Sequence, residues 1–146
     1  MNFSLVRCDA DGRPVQPVAR MTAELEANCV GTADLYRRVG FVEPWVGYVA
    51  VVEGEGVGGG AFVGPPTDNC VEIAYFTLTE HEGRGFASQT AAGLVEIARQ
   101  SSPQVQLKAF TLMEQNASTR ILQRLGFKVV RTSQDPDAGE VWEWRA

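Results

Sequence analysis

Residues 72–88 read Glu-Ile-Ala-Tyr-Phe-Thr-Leu-Thr-Glu-His-Glu-Gly-Arg-Gly-Phe-Ala-Ser, a strand-like run that turns through Gly83 and Gly85 into a helical pattern. That order suits an anion. A helix start leaves backbone N–H groups without partners and carries the positive end of the helix dipole, and glycines let an anion approach the backbone closely. Gly85 and Ala87 remove bulk where a diphosphate would lie, and Arg84 adds a positive charge nearby. The competing reading is an ordinary tight strand-to-helix turn that uses its glycines for positive φ.

The elements around this segment follow from periodicity. Phe86, Thr90, Leu94, Ile97 and Ala98 recur at helical spacing until Pro103, and Val71, Ile73 and Tyr75 alternate as in a strand with one side buried. Upstream, Phe3 to Cys8 reads as a first strand. Two helices are expected next, one on the stripe Val18, Met21, Leu25 and Cys29, and a shorter one on Leu35, Tyr36 and Val39 that ends at Gly40. Val46 to Val52 reads as a strand apolar on both faces, joined by a turn at Glu53 to Gly56 to a further strand, Val57 to Val63. After the long helix come a strand at Val105, Leu107 and Ala109, a helix from Asn116 to Leu125 and a closing antiparallel pair, Phe127–Arg131 with Glu140–Trp144. Several links are too short for parallel crossovers, so the fold class is α/β or α+β with a mixed, mostly antiparallel sheet.

Length and composition set bounds. At 146 residues and 45% hydrophobic content, a single domain over 1–146 is expected. A net charge of −5 argues against nucleic acid or an anionic membrane as partner and is compatible with a positively charged acceptor. Cys8, Cys29 and Cys70 are odd in number and widely spaced, so no metal is expected and the thiols read as reduced. Arg7, Asp9 and Asp11 interrupt the amino terminus, and no apolar run is long enough to span a bilayer; a cytoplasmic location is the expectation. Gly-Glu-Gly-Val-Gly-Gly at 54–59 satisfies the spelling of a dinucleotide fingerprint but is followed by strand rather than helix, so a hairpin explains it better.

Two segments read together resemble the GNAT superfamily of acyl-CoA-dependent N-acetyltransferases, most of all the branch with ribosomal-protein N-terminal acetyltransferases. They are the pyrophosphate motif, here Glu82-Gly83-Arg84-Gly85-Phe86-Ala87, and Asn116-Ala117-Ser118 leading to Leu125-Gly126-Phe127. The likeness covers residues 44–131 well. Glu82 departs from the motif's first position, where Arg or Gln is usual, and Gln115 stands where the branch often has Asn. The resemblance implies a sheet splayed at its fourth and fifth strands, flanked by about four helices, with acetyl-CoA as co-substrate wedged in the splay. Backbone groups around Phe76, Thr77 and Leu78 would meet the pantetheine arm, Gly83, Arg84, Gly85, Phe86, Ala87 and Ser88 would take the diphosphate, and Asn116 would lie near the thioester end.

The same resemblance assigns catalysis to Glu72 as general base and Ser118 as proton donor, because many relatives use a tyrosine where this chain has Leu122. Each has a plainer reading: Glu72 as a solvated strand residue, Ser118 as a helix cap. Tyr48, Tyr75 and His81 are further hydroxyl or imidazole groups, with core packing the ordinary use of the tyrosines. The implied activity is acetyl transfer to a primary amine, on a small molecule or a protein N-terminus, by direct transfer in a ternary complex. A non-catalytic acyl-CoA sensor is the alternative, and a plain nucleotide binder, resting on the glycines alone, is a third. The carboxy-terminal strand with Trp142 and Trp144 suggests a homodimer.

Overall fold

The computed structural model describes residues 2–146. In chain order it contains β1 (Phe3–Arg7), α1 (Ala23–Val39), β2 (Gly47–Val52), β3 (Glu55–Phe62), β4 (Cys70–Thr77), a 3₁₀ turn (Thr79–His81), α2 (Phe86–Ser101), β5 (Gln106–Leu112), α3 (Ala117–Arg124), β6 (Lys128–Asp135) and β7 (Gly139–Arg145). The seven strands form one sheet in the order β1-β2-β3-β4-β5-β7-β6. All neighbours are antiparallel except β4 and β5, which are parallel and joined by the crossover through α2.

The two expected amino-terminal helices are a single helix. Arg20 has φ 58°, which no helix tolerates, and Ala19 bridges to Glu55, so Val18 and Met21 belong to an extended segment. Thr22 then caps α1 by accepting from the Leu25 N–H at 3.2 Å. Leu25, Cys29, Thr32 and Tyr36 form its buried line, and the helix runs through Gly31, which faces open space. Three α-helices and a 3₁₀ turn therefore flank the sheet among the described residues, rather than about four helices.

Glu53 and Gly54, both at positive φ, make the two-residue turn between β2 and β3. The other glycines of the false fingerprint are strand residues. A Cβ on Gly58 would lie 2.3 Å from the Phe76 carbonyl oxygen, so that glycine lets β3 and β4 approach. β2 is buried throughout, as its two-faced apolar sequence requires.

Register assigns faces. Gly60 pairs with Tyr75, and a Cβ there would meet Leu94 and Thr90 of α2; Gly59 pairs with Phe76, and a Cβ there would approach Asn28 of α1. Val71, Ile73, Tyr75 and Thr77 thus face α2, while Glu72, Ala74 and Phe76 face the α1 side. The main core lies on the α2 side, where Ile73, Leu94, Ala98, Leu107, Leu122, Phe127 and Trp144 pack together. Trp144 is 2% exposed, donates its indole N–H to Thr111 Oγ1 at 2.8 Å and meets Trp142 edge-on. Trp144 is thus part of the core, while Trp142 is half-buried.

Candidate active site

Strands β4 and β5 pair over three residues only, Cys70–Glu72 with Gln106–Lys108, and then part. Beyond Glu72, β4 pairs with β3 alone, and beyond Lys108, β5 pairs with β7 alone. The facing backbone edges are left open, and an unpaired edge is a template for an extended ligand. On the α2 side the fork widens into a cleft of about 620 Å³ lined by the ends of β4, the 82–88 loop and α3.

The loop is built as an anion cradle. Gly83 and Gly85 have φ 79° and 82°, values that favour glycine, and open space lies where their Cβ atoms would be. Gly85 is the N-cap of α2 with no side-chain cap, and the first intrahelical bond runs from the Gln89 N–H to the Gly85 carbonyl at 3.1 Å. The amides of Phe86, Ala87 and Ser88 therefore have no intrahelical acceptor. No acidic side chain stands in the first turn of α2.

Of the expected cofactor-binding residues, Phe76, Thr77, Gly83, Gly85, Phe86, Ala87 and Ser88 line this cleft, and Leu78, Arg84 and Asn116 do not. Leu78 is buried in the core, and Arg84 is exposed outside the cleft. Asn116 caps α3: its Oδ1 accepts from the Thr119 N–H at 3.1 Å while its own N–H donates to Thr119 Oγ1 at 2.8 Å, a reciprocal capping box. Glu82, the departure from the motif, also lines the cleft and is solvent-exposed, which lets its charge turn outward.

The cleft also holds residues that the sequence reading passed over. Arg120 and Arg124 sit four apart on α3, both line the cleft and neither enters an ion pair among the described residues. Their spacing on one helix face was the available signal. Thr77 Oγ1 and His81 Nδ1 are buried in the cleft wall without hydrogen-bond partners, although His81 Nε2 lies 3.5 Å from Glu55 Oε2. Buried polar atoms left unpaired are costly, which sets these two apart from the satisfied polar groups around them. The orphan atoms, the bare helix start and the two arginines together fit a diphosphate-bearing molecule with an extended polar arm.

Glu72 and Ser118, the two expected catalytic residues, meet around a smaller cavity of about 120 Å³ in the crotch of the fork. Tyr75 and Ser118 line both this cavity and the large cleft, so the two spaces share a wall. The Tyr75 hydroxyl donates to the Ser118 carbonyl at 3.4 Å, and burial pushes its phenol up to about 12, so it is a donor at neutral pH. Burial raises the Glu72 carboxyl above its ordinary range; Lys108 opposes the rise, and Asp135 and Glu143 add to it. Leu122, where many relatives have a tyrosine, is fully buried in the core.

Comparison with known proteins agrees with this geometry. The sequence model of the acetyltransferase (GNAT) domain matches residues 12–128, whereas no curated protein matches. Among solved structures the chain is similar to RimL, a ribosomal L7/L12 alpha-N-protein acetyltransferase in complex with coenzyme A (TM-score 0.72, 16% identity, 100% of this chain and 94% of that one). It is similar also to IAA acetyltransferase from Bacillus cereus (TM-score 0.70, 13% identity, 99% and 98%). A GNAT-family acetyltransferase from Bacillus anthracis matches at TM-score 0.61 and 14% identity over 68% of this chain, which spans 64% of that relative's length. At these identities the neighbours attest the fold, and the domain match over most of the sequence establishes that the chain belongs to the GNAT acetyltransferase family.

Proposed function

We propose that the protein is an acetyl-CoA-dependent N-acetyltransferase that passes the acetyl group directly to a primary amine while donor and acceptor are both bound. The observation that carries this reading is the fork between β4 and β5, where a raised carboxyl and a diphosphate-type cleft meet through one cavity. Bound acetyl-CoA supplies an acyl carbon activated as a thioester, so the amine gains the C–N bond as the C–S bond breaks and the thiol departs.

The chain's own residues divide the remaining work. The amides of Phe86, Ala87 and Ser88, with Arg120 and Arg124, hold the diphosphate end. The open edge of β4 from Ile73 to Thr77 orients the arm, and backbone N–H groups there stabilise negative charge on the carbonyl oxygen. Glu72 takes the proton that the amine must lose. Ser118, with Tyr75 beside it, stands where a hydroxyl can return a proton to the thiolate. Asn116 serves the fold rather than the donor.

The test is Glu72→Gln. We expect kcat to fall by about 10²-fold with CoA affinity retained, and the low-pH limb of the parent rate profile, set by the raised carboxyl, to disappear. Stability moves the other way. A carboxyl whose folded pKa lies above its unfolded value holds extra proton in the fold between the two, so native stability falls as pH rises through that window. Glu72→Gln removes that loss and melts higher than the parent at neutral pH. An unchanged rate across pH would return Glu72 to an ordinary strand residue. The fully buried Leu122 at the usual tyrosine position favours the sensor reading, and CoA binding with no turnover of any amine would establish it.

A further inference from the structure

Glu72 borders a third space. On the α1 side of the fork lies a cavity of about 260 Å³ whose lining includes Thr67, Asp68, Glu72, Lys108 and Arg145. It shares Glu72 with the transfer cavity and none of its lining with the CoA cleft. Register explains its charges: Lys108 stands opposite both Glu72 on β4 and Arg145 on β7, which sets three charged side chains in a row across three strands on one face.

The cationic side of this cavity is held in place. Arg145 Nε donates to Glu143 Oε2 at 2.8 Å and its Nη1 to Gln106 Oε1 at 3.2 Å. Arg131 Nη1 donates to the same Glu143 oxygen at 2.7 Å, so one buried carboxylate is shared by two guanidinium groups. Burial would raise the Glu143 carboxyl, but Arg145 and Arg131 outweigh it and hold it ionised. The Lys108 ammonium lies 5.8 Å from the Phe110 ring centroid and enters no ion pair among the described residues, not even with Glu72 beside it. Two carboxylates, Asp68 and Glu72, and two cations, Lys108 and Arg145, thus line one cavity. The volume is slightly below the ~300–1,000 Å³ usual for drug-sized ligands, which fits a small molecule.

We infer that this cavity is the acceptor pocket and that the acceptor is a small α-amino acid. Lys108 and Arg145 hold its carboxylate, and its amine is presented to Glu72 at the entrance to the fork. The inference rests on the acetyltransferase reading and adds to it the acceptor's second charge. A carboxylate between two cations gains charged hydrogen bonds that a simple amine forgoes. The same grip fixes the amine beside its base.

The experiment measures thiol release from acetyl-CoA by the whole chain with matched acceptors: L-amino acids, the amines left by their decarboxylation, and a short peptide with a free N-terminus and an amidated C-terminus. Expected is a kcat/KM for amino acids at least about tenfold above that for their amines, the value of one charged hydrogen bond. Lys108→Met should erase that preference mainly through KM for the amino acid, with CoA affinity retained, and Lys108→Arg should restore it. Equal use of amines or of the peptide by the parent chain would overturn the inference while leaving acetyltransfer intact, and needs no variant to fold. A Lys108→Met enzyme that keeps the full preference would also overturn it. CoA bound with no acceptor of any series turned over would instead overturn the acetyltransferase reading on which the inference stands.

Discussion

Two helices begin at the same cleft, and they begin in opposite ways. α3 opens with a complete capping box, in which Asn116 and Thr119 satisfy each other's backbone N–H groups. α2 opens at Gly85 in the left-handed region, with no side-chain cap and three amides lacking an intrahelical acceptor. Capping is worth about 1 kcal/mol to a helix, so its omission at α2 is a cost that a bound anion can offset. The difference separates a helix start completed by its own side chains from one left open, as the proposed diphosphate site requires. α3 lines the cleft from Ala117 and Ser118 to Arg120 and Arg124, and the charge it brings there comes from the two arginines.

The strongest way to break this comparison is Gly85→Glu. A carboxylate at the bare helix start should weaken CoA binding by at least about a hundredfold, the loss of one or two charged hydrogen bonds. Gly85→Ala carries the same strain at φ 82° without the charge, at about 1–2 kcal/mol of stability, and should lose much less affinity. Titration calorimetry alongside thermal melts separates the two effects. Near-parental affinity in a folded Gly85→Glu chain would place the anion elsewhere.

Next in size is the double change Arg120→Ala with Arg124→Ala. Both arginines are exposed, so each contributes up to about 1 kcal/mol, and the pair should weaken CoA binding by about tenfold at low salt and less at high salt. A salt-independent loss would mean that the arginines act through packing.

The smallest effect sharpens the comparison from the other side. Asn116→Ala should cost about 1 kcal/mol of folding stability in denaturant melts and leave CoA affinity unchanged. A large loss of affinity at full stability would make Asn116 a cofactor ligand after all.

What the sequence made legible follows the range of the interactions involved. The strand, glycine and helix order at 72–88 is local, and Gly83, Gly85 and the start of α2 lie where the spacing puts them. The amino-terminal helix was misread because Val18 and Met21 fall into helical register by chance, while the backbone at Arg20 turns through positive φ to let Ala19 bridge to Glu55. The capping role of Asn116 was not legible because a cap and a ligand use the same side chain, and only the position of Thr119 reveals the cap. The meeting of Glu72 with Lys108 and Arg145 was beyond reach, because it depends on β7 inserting between β5 and β6. The arginines of α3 were within reach, four residues apart beside a motif already noted.

The central claim is that the free amides at the start of α2 receive the diphosphate of CoA. Amide hydrogen exchange, measured residue by residue with and without CoA, addresses those groups individually. Phe86, Ala87 and Ser88, without intrahelical acceptors in the free chain, should slow markedly on binding, while Thr119, already bonded to Asn116, should change little. Exchange at Phe86–Ser88 that stays the same under saturating CoA, or slows only around Thr119, would contradict the account.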